Sequence, residues 1–236
     1  MSHALDTIAR RRAVKVFDPV PLPPSVRAQL LDAARLAPSS FNIQPYRFFW
    51  IESPEKRAAA ATLCFSQSPA ATASALVVAV ADIGSWRDTA LAHVSWMRSA
   101  GFSPEKIAES ERKARLVKWF FIQGWFNALG AVKWAILQVL HIWKIVGVAP
   151  YTRNDLFKWA TKSASLACQN LMIAAESLGF NSCPMEGFDA RRLSSFLGLS
   201  RRHHEIVMVI ALGKKSALHK DQPQWRRPLD STVTFL

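Results

Sequence analysis

The run from Ala75 to Ala81, Ala-Leu-Val-Val-Ala-Val-Ala, contains no polar residue. Successive side chains of a strand point to opposite faces of its sheet, so a strand without polar alternation needs apolar cover on both sides. Glu205 to Leu212 (EIVMVIAL) forms a second run of this kind. Other elements must cover both faces of a sheet built from such strands, and this chain also offers helices.

Those helices are legible in turn. Ala4 to Arg12 reads as a short helix, and Pro23 to Ala37 as a second, with Val26, Leu30, Leu31 and Ala34 at helical spacing and Pro38 as its stop. Arg47 to Glu52 is an aromatic, β-type run, and Ser53-Pro54-Glu55 opens another helix. Trp86 to Ser99 and the stretch from Ser103-Pro104-Glu105 onward are helical. Asn154 to Leu178 predicts a long helix ended by Gly179, and Asp189 predicts the cap of a short helix through Leu197 with Gly198 behind it. Ser231 to Leu236 alternates as a strand, with Val233 and Phe235 on one side, and is expected to pair with something already folded.

With 236 residues, half of them apolar, the chain can bury one sizeable core, and a single domain over 1–236 is expected. Its 30 Lys and Arg against 17 Asp and Glu leave a net charge of +13, which favours anionic partners: a phosphate cofactor, acidic lipid or nucleic acid. Nucleic acid is set aside because the cations are dispersed and no recognition motif is visible. Cys64, Cys168 and Cys183 include no C-x-x-C pair, so neither a disulfide framework nor a metal site is indicated. Cys183 reads as a packing residue and His203-His204 as solvated, since no partner stands at ligand spacing. No G-x-G-x-x-G or P-loop string is present, and the start of the chain lacks the apolar stretch of a secretory signal, which predicts a cytoplasmic protein.

Four pieces far apart in the chain carry the chemistry. Arg11, Lys15 and Phe17 form an R-x-x-x-K-x-F pattern; residues 38 to 45 read Pro-Ser-Ser-Phe-Asn-Ile-Gln-Pro; Pro184-Met185-Glu186-Gly187-Phe188 follows Ala174-Ala175-Glu176-Ser177-Leu178-Gly179-Phe180; and Arg226-Arg227-Pro228-Leu229 lies near the end. Taken alone, Arg10 to Arg12 could be a solvated helix end, where cations meet the helix dipole, and each of the other pieces an ordinary turn. Together, in this order, and with Trp159-Ala160-Thr161-Lys162, they resemble the FMN-dependent nitroreductase family. The resemblance covers nearly the whole length apart from the segment around residues 100 to 152.

The resemblance implies an α+β, three-layer fold with a central, mostly antiparallel sheet flanked by helices. It implies a homodimer with FMN at the interface and exchange of the C-terminal strand near Val233 and Phe235. The cofactor-binding residues implied are Arg11, Arg12, Ala13, Lys15, Pro38, Ser39, Ser40, Asn42, Gln67, Pro184, Met185, Glu186, Gly187 and Arg226. Guanidinium groups suit a phosphate because they bind oxyanions through charge-assisted, often bidentate hydrogen bonds, so Arg11 and Arg226 are the expected clamp. Lys15 is implied at the N1 and O2 edge of the ring, where a positive charge favours reduction. The 38 to 45 loop, with short polar groups held between prolines, is implied to reach the flavin of the other subunit. Gly187 lets backbone approach a flat ring, and the amides of Glu186 and Gly187 are implied to face it. Ala13 replaces a common family serine and Ser66 a common asparagine; each change removes or shortens a bond with a net contribution of about 1 kcal/mol, so weaker flavin binding is expected.

The implied reaction passes electrons from NADH or NADPH through flavin N5 to a nitroaromatic, quinone or similar electron-poor acceptor, with no protein nucleophile and no catalytic side chain of its own. A flavin-binding sensor or storage protein without efficient turnover is the alternative from another class, and reductive dehalogenation is an alternative within the family. The segment at about 103–152 reads as a Trp-rich helical insertion, with Trp119, Trp125, Trp134 and Trp143 between Leu116 and Ala149. Two readings stand for it. One has helices bent near Gly124 or Gly130 that cover the flavin pocket or the dimer contact, with Phe120, Phe121 or Trp125 as lid. The other has an interfacial segment resting on an anionic membrane at the inner face, where a quinone could be reduced.

Overall fold

The computed structural model describes residues 3–122, 128–145 and 150–236. Trp125, Gly124 and their neighbours at 123–127 lie outside the described residues, as does the side chain of Phe120. Helix α1 (His3–Arg10) precedes a two-residue strand β1 (Phe17–Asp18), helix α2 (Pro24–Arg35), strand β2 (Tyr46–Ile51), helices α3 (Pro54–Leu63) and α4 (Ser68–Thr72), and strand β3 (Ala75–Asp82). Helices α5 (Trp86–Ser99), α6 (Pro104–Phe121), α7 (Ala128–His141) and α8 (Arg153–Ser177) follow, then strand β4 (Asn181–Met185), helix α9 (Ala190–Phe196) and strand β5 (His204–Lys215).

Every strand pair named here is antiparallel. β5 lies at the centre: β3 pairs with it along one side from Ala75↔Leu212 to Asp82↔His204, β4 pairs along the other from Asn181↔Gly213 to Met185↔Val209, and β1 pairs with its last two residues. β2 pairs with the far side of β3 and closes that edge. All eight residues of β3 are buried, as its composition predicts.

Alternation sorts the core into two layers. Leu76, Val78, Val80, Val209 and Ala211 pack with Ala60, Ala61, Cys64 and Leu193 of α3 and α9. Val77, Ala79, Ile210 and Leu212 pack on the opposite face with Leu30, Ala34, Ala167, Leu171 and Ala175 of α2 and α8. This is the three-layer α+β arrangement. Small residues on α8, Ala160, Ala164, Ala167 and Ala175, are buried completely and let that long helix approach the sheet closely. A third cluster joins Ile43, Ala81, Ile83, Val117, Phe121, Leu156 and Phe157, and so ties the loop before β2 to α6 and to the start of α8.

Helix ends follow their chemistry. Thr152 caps α8: its hydroxyl accepts from the Asp155 amide at 3.2 Å while the Asp155 carboxylate accepts from the Thr152 amide at 2.9 Å. Asp189 caps α9 by accepting from the Arg192 amide at 2.9 Å, and Gly179 and Gly198 take the left-handed conformation just past α8 and α9. The terminal strand expected at Ser231 to Leu236 is not formed. A 3-10 turn occupies Leu229–Ser231, and residues 220–236 are exposed, with Phe235 87% accessible. Alternation marks a segment able to pair, but a strand exists only where an edge meets it, and within one chain none does.

Thr152→Ala should cost about 1 kcal/mol, lowering the thermal midpoint by a few degrees in a calorimetric scan without altering the fold by circular dichroism.

Candidate functional site

The edge of the sheet beyond β5 gathers three sequence-distant pieces. Ala13 forms a parallel bridge with Ser182, and the Val14 amide donates to the Ser182 carbonyl at 3.1 Å. The Arg11 to Lys15 segment therefore runs beside β4 and the Pro184 to Gly187 turn that continues it. Lys15 is exposed, and its Nζ lies 3.3 Å from Sγ of buried Cys183. Its backbone is held from two further directions: the Ser68 hydroxyl donates to its carbonyl at 2.9 Å, and its amide donates to Nδ1 of His219 at 3.2 Å. The second bond requires the histidine proton on Nε2.

β4 ends at Met185, so the amides of Glu186 and Gly187 lie beyond the ladder and both residues are exposed. Gln67 Nε2 clamps this turn by donating to the Gly187 carbonyl at 2.6 Å and to the Cys64 carbonyl at 3.0 Å. A Cβ on Gly187 would stand 2.9 Å from Gln67 Nε2. Immediately before Gln67, Phe65 and Ser66 are both left-handed, with φ of 57° and 49°. Non-glycine residues adopt that conformation at a cost on the order of 1 kcal/mol each, and such strain gathers at binding sites.

The 38 to 45 loop carries the same signature, with Phe41, Asn42 and Gln44 at φ of 56°, 53° and 50°. The Ser39 hydroxyl accepts from the Gln44 amide at 2.9 Å, Ser40–Asn42 form a 3-10 turn, and the Gln44 side chain donates to Asn42 Oδ1 at 3.2 Å. This loop leads into β2, at the opposite edge of the sheet from β4. Three strand spacings separate the two edges, on the order of 14 Å. Pro38, Ser39, Ser40 and Asn42 are thus not brought to Lys15 and Gly187 within one chain.

The cations divide likewise. Arg11 and Arg12 are half-buried beside the cluster, and Arg12 Nη1 donates to the Ala9 carbonyl at 2.5 Å. The segment after β5 crosses next to them. A hydrogen bond from Lys215 at 2.8 Å, backed by the charges of Lys215 and Arg12, holds the Asp221 carboxyl below the usual carboxylate range. Arg226, farther along, is exposed and donates to the Trp225 carbonyl at 2.7 Å; among the described residues no hydrogen bond joins it to Arg11. Ser68, Lys215 and His219 were not singled out by the sequence. Lys214-Lys215 was visible only as charge behind a buried strand, and its nearness to Arg12 depends on the β1–β5 register.

Cys64 and Cys168 are buried, which pushes their thiols up to about 11 and about 12, so both stay protonated. His204 departs from the solvated reading. The antiparallel register sets it across from Asp82, Nε2 to Oδ2 at 3.6 Å, with both side chains largely buried.

Comparison with known proteins agrees with this fold. The profile of the Nitroreductase family matches residues 8–214. Protein DrgA of Synechocystis sp. is 31% identical over 224 residues, spanning 94% of this chain and 87% of that protein. A Thermus thermophilus protein named NADH dehydrogenase is 27% identical over 226 residues, spanning 96% and 92%. A crystal structure from Exiguobacterium sibiricum, assigned as a nitroreductase and solved in complex with FMN, has the same fold, with a TM-score of 0.75 at 22% identity over 100% of this chain and 98% of that one. Matched by the family profile over most of its length and aligned with a 31%-identical relative over nearly all of it, this chain belongs to the Nitroreductase family.

Proposed function

We propose that this chain is an FMN-dependent NAD(P)H oxidoreductase that reduces nitroaromatic, quinone or similar electron-poor acceptors as a homodimer. The observation that carries the reading is the Val14–Ser182 backbone bond, which sets Lys15 and the Glu186-Gly187 turn side by side. Their chemistry fits a flavin phosphate. Exposed Glu186 and Gly187 follow a β-ladder, a Cβ on Gly187 would displace the doubly hydrogen-bonded end of Gln67, and Arg11, Arg12 and Lys15 line one edge.

Bound FMN would supply reversible hydride chemistry at its ring. Lys15 would place a positive charge where negative charge builds on reduction, with its backbone fixed by Ser68, His219 and Ser182 so that the charge needs little reorganisation. Arg11 and Arg226 would hold the phosphate, and Ala13, without a hydroxyl, would add nothing to that hold. Pro184, Met185, Glu186 and Gly187 would support the ring, and Gln67 would fix the angle of that turn. Buried Cys64 and Cys168, kept as thiols, would take no part.

A dimer would account for the distance between the two halves of the site. The strained loop carrying Ser39, Ser40 and Asn42 is built but lies at the far edge of its own sheet, and the exposed segment from 220 to 236 carries Trp225, Leu229 and Phe235 outward. A second copy would receive both.

The purified protein should be yellow, and anaerobic NADH or NADPH should bleach its visible absorbance within seconds. Protein that is colourless and does not take up added FMN sinks the proposal; bound flavin that neither nucleotide reduces points instead to a storage or sensing protein. Arg226→Ala should weaken FMN binding about tenfold, the loss expected for one charge-assisted hydrogen bond, and undiminished flavin content would remove Arg226 from the clamp.

A further inference from the structure

Helix α7 is built inside out. Its buried positions are Gly130, Lys133 and Leu137, three and four residues apart on one face, and Lys133 is the only residue of the helix with a fixed charge. The Lys133 ammonium turns inward, donating to the Ile122 carbonyl and lying 5.1 Å from the centre of the Trp119 ring. Apart from Gln138 and His141, the large outward side chains are apolar instead: Val132, Trp134, Ile136, Val139 and Leu140, continued by Ile142, Trp143 and Ile145, the last two 81% and 106% accessible. A helix in water places these residues the other way round. Contiguous apolar surface of this kind marks a contact with something other than water.

Charge identifies the partner. From Arg112 to Asn154 the chain contains no acidic residue and seven cations, Arg112, Lys113, Arg115, Lys118, Lys133, Lys144 and Arg153. Lys118 and Lys144 are exposed at the ends of α6 and α7, next to Trp119 and Trp143. A second copy docking through the same face would bring like charges together with no carboxylate to meet them, which opposes a self-complementary contact. Exposed apolar and Trp side chains rimmed by Lys and Arg suit the interface of an anionic bilayer. Spanning is not at issue: among the described residues no helix is long and apolar enough to cross a membrane, and the 14 residues of α7 extend only about 21 Å.

We infer that the exposed face of α7, together with Lys118 near the end of α6 and Lys144 just past α7, docks this protein on the surface of an anionic phospholipid bilayer. The docking does not depend on the redox reading. If both hold, electron acceptors dissolved in the lipid lie within reach, and that consequence rests on the proposed flavin chemistry.

The test is co-sedimentation of the full-length protein with vesicles of phosphatidylcholine alone or mixed equally with phosphatidylglycerol, at low and high salt. The wild type should pellet with the mixed vesicles at low salt, lose binding as salt rises, and remain in the supernatant with the neutral ones. The double variant Val139→Glu, Trp143→Glu, altered only at exposed positions, should partition at least about tenfold more weakly with an unchanged circular dichroism spectrum. Should that variant misfold, Lys118→Glu with Lys144→Glu supplies the same comparison. Wild type that never pellets, that binds neutral vesicles equally well, or that binds no better than a folded variant overturns the inference. So does a fall in oligomer mass of the variant by sedimentation velocity without lipid binding by the wild type, which would assign the face to a second copy. Colourless protein that still pellets with anionic lipid would refute the flavin reading and leave the docking intact.

Discussion

Strand β5 is shared by everything else in the molecule. One side of its backbone is occupied by β3 and the other by β4, its end is held by β1, and its inner side chains are buried on both faces between α3 and α9 on one side and α2 and α8 on the other. Backbone groups buried so deeply cannot be left unpaired, so each neighbouring strand is held in one register. That register carries the local chemistry with it. Met185 is set opposite Val209, Phe17 opposite Lys215 and Asp82 opposite His204.

The candidate site is a by-product of where that ladder ends. β4 stops at Met185, leaving the next two peptide groups outside the sheet, and the segment from Arg11 to Lys15 runs along the outer side of β4 through a single bridge. Gln67 and Ser68 approach from the turn before α4 and lock the two strips together. Among the described residues, left-handed non-glycine residues occur in just those two loops that the motif pattern marks, Phe41 to Gln44 and Phe65 to Ser66. Strain kept in place by surrounding packing, such as buried Ile43 under the first loop, is what a preorganised binding surface requires.

Much of this was legible in residue order. Buried strands announce themselves by lacking polar alternation, helix ends by Thr, Asp, Pro and Gly at cap positions, and the motifs by residue types that few other sites need. What escaped was pairing between distant positions. His204 looked solvated because no carboxylate or cysteine stands at ligand spacing from it in sequence, yet the β3–β5 register supplies Asp82. Val233 and Phe235 looked like strand residues because alternation records the capacity to pair and says nothing about whether an edge is present. In the Trp-rich segment nothing local marks Lys133 as inward-facing, yet the fold buries it in α7.

By itself, then, the sequence determined the two buried strands and most of the helices and, through its resemblance to a family, the layers and the set of residues suited to a phosphorylated flavin, because periodicity, capping and side-chain chemistry are local properties. Only the tertiary structure decided which of those residues meet: Lys15 beside Cys183 and the Gly187 turn, the 38 to 45 loop at the opposite edge, and the apolar side of α7 facing outward. The physical reason is that strand register and helix rotation are chosen by burial summed over the whole core, a quantity that no single segment contains.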